Sequence, residues 1–137
     1  MKLLNVRGRL VSKNVSKYLI DWDKPSKSKL QFATKQFLKP YWFPYIVYEE
    51  FPCIGSLLKV DFVNMSLKIA IEVHGQQHGE YHFFHNNSPN AYLSSIRRDV
   101  EKAEWLELNK FKFIEINYDE VPLLSRQFFL DKFEVKL

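Results

Sequence analysis

Cysteine is almost missing from this chain: Cys53 is the only one in 137 residues. A lone thiol excludes an internal disulfide and a thiol-built structural zinc site, and it fits a reducing cytoplasm, the expected location. Long hydrophobic runs are missing too. The N-terminus MKLLNVRGRLVSK loses its apolar run after two leucines, and no later segment has the length to span a bilayer. The reading is a soluble, unprocessed chain with no membrane partner. No internal repeat or low-complexity tract appears. Acidic residues are scarce before residue 40, where Lys and Arg are numerous, and the chain carries a net charge of +4 with a pI near 9.1. Such a surface suits a phosphate-bearing partner, although a basic face can also serve solubility alone.

What is present points to one folded domain. The residues are 46% hydrophobic, and the length supports a single core. Residues 1–28 are polar, basic and short of periodicity, and read as an arm or extension ahead of a domain over 29–137. In that arm Arg7, Arg9, Lys13 and Lys17 are candidates to track a phosphate backbone. The plainer alternative is an appendage that packs Tyr18, Ile20 and Trp22 onto the core.

Ser28 is placed to cap a helix from about Lys29 to Lys39, where Leu30, Ala33, Thr34, Phe37 and Leu38 recur at helical spacing and Pro40 ends the run. The aromatic group Tyr41, Trp42, Phe43 and Tyr45 reads as packing rather than a base-stacking platform. Tyr45–Phe51 and Leu57–Val63 have strand composition around the turn PCIGS, and Ser66–Val73 is a third strand, so a three-stranded meander is expected. His74–Pro89 has no period and reads as a functional loop. An amphipathic helix follows from Asn90 to about Asn109, then an alternating strand Phe111–Ile116 and a short terminal helix Leu123–Phe133. A crossover from the third to the fourth strand completes an α/β fold, a mixed central β-sheet flanked by helices.

The chemistry gathers between Lys59 and His85, a stretch that holds all four histidines and sets carboxylates inside strands that would otherwise be apolar. Alternation puts Glu72 and His74 on one face, and the neighbouring strand brings Asp61 toward them. Two hard carboxylates around an open position suit Mg²⁺, or Mn²⁺, with Asp61 and Glu72 as metal ligands. His74 or His78 is then the candidate general base, because an unperturbed imidazole titrates close to working pH. His82 and His85 read as loop residues, and the histidine spacing matches no zinc-finger pattern. On the second helix Arg97 and Arg98 are candidates for phosphate contact, Lys102 for steadying the phosphate, and Asp99 for orienting a histidine or a water. Asp99 and Lys102 could also form an ordinary exposed ion pair.

The run Asp61, ten residues, then Glu72-Val73-His74 resembles the restriction-endonuclease-like nuclease core, whose pattern is an aspartate followed by Glu-x-Lys; His74 stands where the lysine usually stands. With RRDVEKAEWLELNKFKFIEI after it, the chain is more narrowly similar to very-short-patch-repair and phage-type homing endonucleases. The resemblance spans about Lys29 to Asn117. It implies a metal-dependent DNA endonuclease of nicking or homing type, with Asp61, His74 and Asp99 as carried-over site residues and His78 near the loop histidine of those families. The structural zinc ligands of the repair enzymes have no counterpart. The acidic residue common on the first helix is also replaced: Gln31 occupies its place, or Glu50 substitutes from the strand. A catalytically inactive nuclease fold that binds nucleic acid is the alternative reading. Nothing in the sequence sets an oligomeric state.

Overall fold

A computed structural model describes residues 1–76 and 89–137. Four strands form one mixed sheet in the order β3-β4-β5-β6, with β3 at Val47–Pro52, β4 at Lys59–Asn64, β5 at Ile69–His74 and β6 at Lys112–Asn117. The first three pair antiparallel as the expected meander, and β5 pairs with β6 in parallel, in register from Ile69↔Lys112 to His74↔Asn117. Helix α1 (Lys29–Trp42), helix α2 (Pro89–Leu108) and helix α3 (Arg126–Phe133) complete the α/β architecture.

Two apolar cores result. In one, Leu38 and Trp42 of α1 and Phe129 of α3 lie among Val47, Phe62, Ile71, Ile114 and Ile116. In the other, Trp105 and Leu106 of α2 lie among Tyr48, Val63, Ala70 and Phe111. In β5 the alternation is plain, with Ile69 and Ile71 in the first core and Ala70 in the second, as a strand period of two requires.

Residues 1–28 are built into both cores. Strands β1 (Lys2–Leu4) and β2 (Leu10–Ser12) form a small antiparallel hairpin. Its turn is closed by Asn5 Oδ1, which accepts the Arg7 and Arg9 amides, and by Gly8, whose φ of 79° lies where a side chain is disfavoured. Leu3 and Val15 belong to the α2-side core and Trp22 to the other. The Trp105 indole N–H and the Asn109 amide both donate to the Leu4 carbonyl, so the hairpin is fastened to the C-terminal end of α2 by part-buried hydrogen bonds.

Helix α1 begins where expected, with the Ser28 hydroxyl accepting the Gln31 amide at 3.1 Å. It differs in two ways. Pro40 does not end it; the helix continues to Trp42, because a proline in the final turn removes a single bond, from the Gln36 carbonyl on an exposed residue. Its buried side is also turned from the apolar stripe. Gln31, Thr34, Lys35, Leu38 and Trp42 are buried, whereas Ala33 is exposed. Partners for Gln31 and Lys35 on β3 account for this rotation, as the site geometry shows.

Cys53 is buried beside this framework, and burial pushes its thiol up to about 12. Almost no thiolate exists at neutral pH, so the native protein should resist a thiol reagent at pH 8 and react stoichiometrically only after unfolding. Rapid labelling of the folded protein would contradict this burial.

Candidate functional site

The site forms where β4 and β5 part. Their ladder runs through Asn64↔Ile69, Val63↔Ala70 and Phe62↔Ile71, and the next position pairs through side chains instead. The Asp61 amide donates to Glu72 Oε2 at 2.8 Å, and the Val73 amide donates to Asp61 Oδ2 at 2.8 Å. Each carboxylate thus stands in for a backbone acceptor of its own strand toward an amide of the other. Both backbone donors stay satisfied while the strands separate, and the two acids are fixed face to face.

Both acids are buried, and the cost shows in the protonation of Asp61. Burial and the adjacent Glu72 charge push its carboxyl up to about 6, against the opposing pull of the Val73 amide and the Lys27 ammonium. Glu72 spends its second oxygen on Lys102, whose Nζ donates to Oε1 at 2.5 Å. That contact gives Lys102 a definite place in the site.

His74 follows on the same strand and is also buried. Its Nε2 lies 3.0 Å from Glu115 Oε1, supplied by β6. This pairing follows from the parallel register: Glu115 stands opposite Glu72, two residues back from the partner of His74, and shares their face. A carboxylate at one ring nitrogen fixes the orientation of an imidazole.

The other side of the site comes from β3 and the segment before α1. Glu50 has φ 53°, a left-handed conformation in the middle of a strand. For a residue with a side chain this costs about 1–2 kcal/mol. It breaks the alternation, since Tyr48 and Phe51 now join the same core. Glu50 Oε1 accepts from Gln31 Nε2 at 3.1 Å and lies 3.6 Å from the Lys27 ammonium, which is 3.5 Å from Asp61 Oδ1. Two carboxylates on different strands therefore converge on one cation.

Behind Glu50 lies a buried polar network. Lys35, with no exposed side-chain surface, donates to Glu49 Oε1 at 2.7 Å and to the Lys24 carbonyl at 2.8 Å. Ser26 and Gln31 donate to Glu49 Oε2. The Gln31 Oε1 atom is buried without a hydrogen-bond partner. A cavity of about 360 Å³ opens beside this network, with Lys17, Lys24, Ser26, Lys27, Glu49 and Glu50 in its wall.

Asp61, Glu72 and Lys102 are thus joined by hydrogen bonds, and His74 lies two residues beyond Glu72 on the same strand, bonded to Glu115. Asp99 lies on α2 one turn before Lys102 and is half-buried. Arg97 and Arg98 are exposed on the same helix, and Arg7 and Arg9 are exposed at the β1–β2 turn. Lys17 lines the cavity beside Glu50, whereas Lys13 lines a second hollow with Met1, Val15 and Tyr48. His78, His82 and His85 lie outside the described residues. Lys27, Lys35, Glu49 and Glu115 are additions that no motif announced. The pair Glu49-Glu50 inside an apolar strand was the available signal, of the same kind that marks Asp61 and Glu72.

Among the described residues no group of three or more His, Cys, Asp and Glu side chains is arranged to hold a metal ion, and no helix is long and apolar enough to cross a membrane. The donor set nevertheless fits a hard divalent cation of the Mg²⁺ type. Such an ion needs only one or two protein carboxylates, and Asp61 Oδ1 and Glu50 Oε1 already face a common positive charge. Compared with models of protein families, with curated proteins and with solved structures, the chain matches none of them.

Proposed function

We propose that the chain is a Mg²⁺-dependent endonuclease that hydrolyses phosphodiester bonds of DNA, with Mn²⁺ as a substitute ion. The observation that carries this reading is the fork between β4 and β5, where Asp61 and Glu72 are held in reciprocal backbone contacts at the expense of burying two acids. A fold has little reason to keep that arrangement for stability alone. Asp61 and Glu50 would hold the ion. Glu72 aligns Asp61, and becomes a ligand itself only on releasing Lys102. A divalent ion there supplies positive charge to the scissile phosphate and acidity to water. His74, oriented by Glu115, is the candidate general base among the described residues, and His78 is the other histidine proposed for that role. Lys17, Arg97 and Arg98, with Arg7, Arg9 and Lys13, would supply salt-dependent contacts to the phosphate backbone. Asp99 is proposed to orient a neighbouring group from α2. The resemblance to nicking and homing endonucleases supports the same substrate class.

One observation favours a second reading. Both Glu72 oxygens are occupied by protein donors, which suits an inactive fold that only binds nucleic acid. Supercoiled plasmid separates the two. The enzyme is expected to nick or linearise it with Mg²⁺ and to stop when EDTA is added. Retarded plasmid with no cleavage under either condition would establish the binding module.

A further inference from the structure

Resting on the metal-dependent reading above, we propose that Lys27 is a built-in counter-ion of the Glu50–Asp61 pair, and that a divalent cation displaces it on binding. The ammonium lies 3.5 Å from Asp61 Oδ1 and 3.6 Å from Glu50 Oε1. These distances are longer than a close ion pair, and the lysine is shared between the two acids rather than committed to one.

The partners differ in freedom. The Asp61 side chain is 7% exposed and held by the Val73 amide, whereas the Lys27 side chain is 65% exposed. The backbone around Lys27 is fixed on both sides. Lys35 grips the Lys24 carbonyl, the Ser26 hydroxyl is bonded to Glu49, and Ser28 caps α1. Exchange therefore needs only side-chain rotation in Lys27, a motion that exposed lysines make readily. The adjoining cavity gives that side chain room. Once released from the two acids, the ammonium leaves a cavity wall that already holds Lys17, Lys24 and Lys27 with its positive charge uncompensated, where a phosphate backbone would approach.

The strained Glu50 backbone belongs to the same device. Its left-handed conformation carries the carboxylate to the cation that Asp61 also faces, and Gln31 secures it there. Coulomb attraction favours replacement, because a small divalent ion doubles the charge and approaches oxygen more closely than an ammonium does.

Mn²⁺ binding to the whole chain, followed by electron paramagnetic resonance without nucleic acid, tests the exchange. Lys27→Met is expected to bind Mn²⁺ about tenfold more tightly than the unmodified protein. Lys27→Arg should remain close to the unmodified protein, and Glu50→Gln should bind more weakly. Equal or weaker binding by Lys27→Met overturns the exchange and leaves the metal-dependent reading standing. Absence of Mn²⁺ binding in both proteins overturns that reading and the exchange with it. Because Lys27 is mostly exposed, a thermal melt suffices to show that the variant is folded.

Discussion

Asp61→Asn is expected to make the protein more stable at neutral pH while all but removing the proposed cleavage of DNA. The two effects share one cause. In the metal-free protein the buried carboxyl titrates near 6 instead of its ordinary 3.8, because burial and the Glu72 charge both oppose ionisation. The folded state then holds the proton more tightly than the unfolded state does. Between about pH 4 and 6 the native protein binds more protons, so stability falls as pH rises through that window and stays lower above it. At about 1.4 kcal/mol per pH unit, the shift sets an upper scale of roughly 2–3 kcal/mol. Asparagine keeps an oxygen for the Val73 amide and leaves the Asp61 amide contact to Glu72 untouched. The charge is lost, and with it the weak contact of Oδ1 with the mostly exposed Lys27 ammonium.

In EDTA at pH 7.5 the variant should therefore melt several degrees above the parent, and the difference should vanish near pH 4. Mg²⁺ should raise the melting temperature of the parent but not of the variant. Plasmid cleavage by the variant should fall by on the order of a thousandfold, the scale of removing a preorganised charge-stabilising group. Cleavage at the parental rate would remove Asp61 from the proposed metal site. Equal melting curves at pH 7.5 and pH 4 would contradict the raised carboxyl.

Part of this site is legible in the amino-acid sequence because it obeys simple periodicities. A strand period of two fixes Glu72 and His74 on one face, and a short antiparallel turn over 65–68 leaves Asp61 the partner position on the next strand. The sheet order follows from the same short turn and from the long crossover helix. Glu50 is harder to place, since its position depends on a left-handed residue within a strand, for which glutamate gives no local cue. Lys27 is hidden by its setting, for Pro25 followed by SKSK has the composition of a linker. Lys35 reads as a solvent-facing residue of an amphipathic helix, and only Glu49 and the Lys24 carbonyl across the fold explain its complete burial. The hairpin of residues 2–12 has a local cue in Asn5 and Gly8. Its docking depends on Trp105 and Asn109, about a hundred residues away in sequence. Long-range polar contacts, rather than apolar pattern, account for the part of the site that the sequence conceals.

Glu72→Ala should produce the largest loss of stability of any single change in the site. Its carboxylate satisfies two donors, the Asp61 amide at 2.8 Å and the Lys102 ammonium at 2.5 Å, and the Glu72 side chain is only 6% exposed. Truncation leaves the buried Asp61 amide and the part-buried Lys102 ammonium unmatched while relieving the Glu72 charge that opposes Asp61 ionisation, for a net cost of about 1–3 kcal/mol. The ammonium accounts for much of this, so removing it as well should recover stability. Glu72→Ala combined with Lys102→Met is expected to be more stable than Glu72→Ala alone, by an interaction energy of about 1–3 kcal/mol in a double-mutant cycle. Glu72→Gln, which retains an acceptor for the Asp61 amide, should fall between the parent and Glu72→Ala. Urea denaturation of the four members of the cycle at pH 7.5 in EDTA measures these differences without any assumption about catalysis. An additive cycle would show that Lys102 gains nothing from Glu72 in solution. In that case both Glu72 oxygens would not be spoken for, and Glu72 would return as a direct ligand beside Asp61.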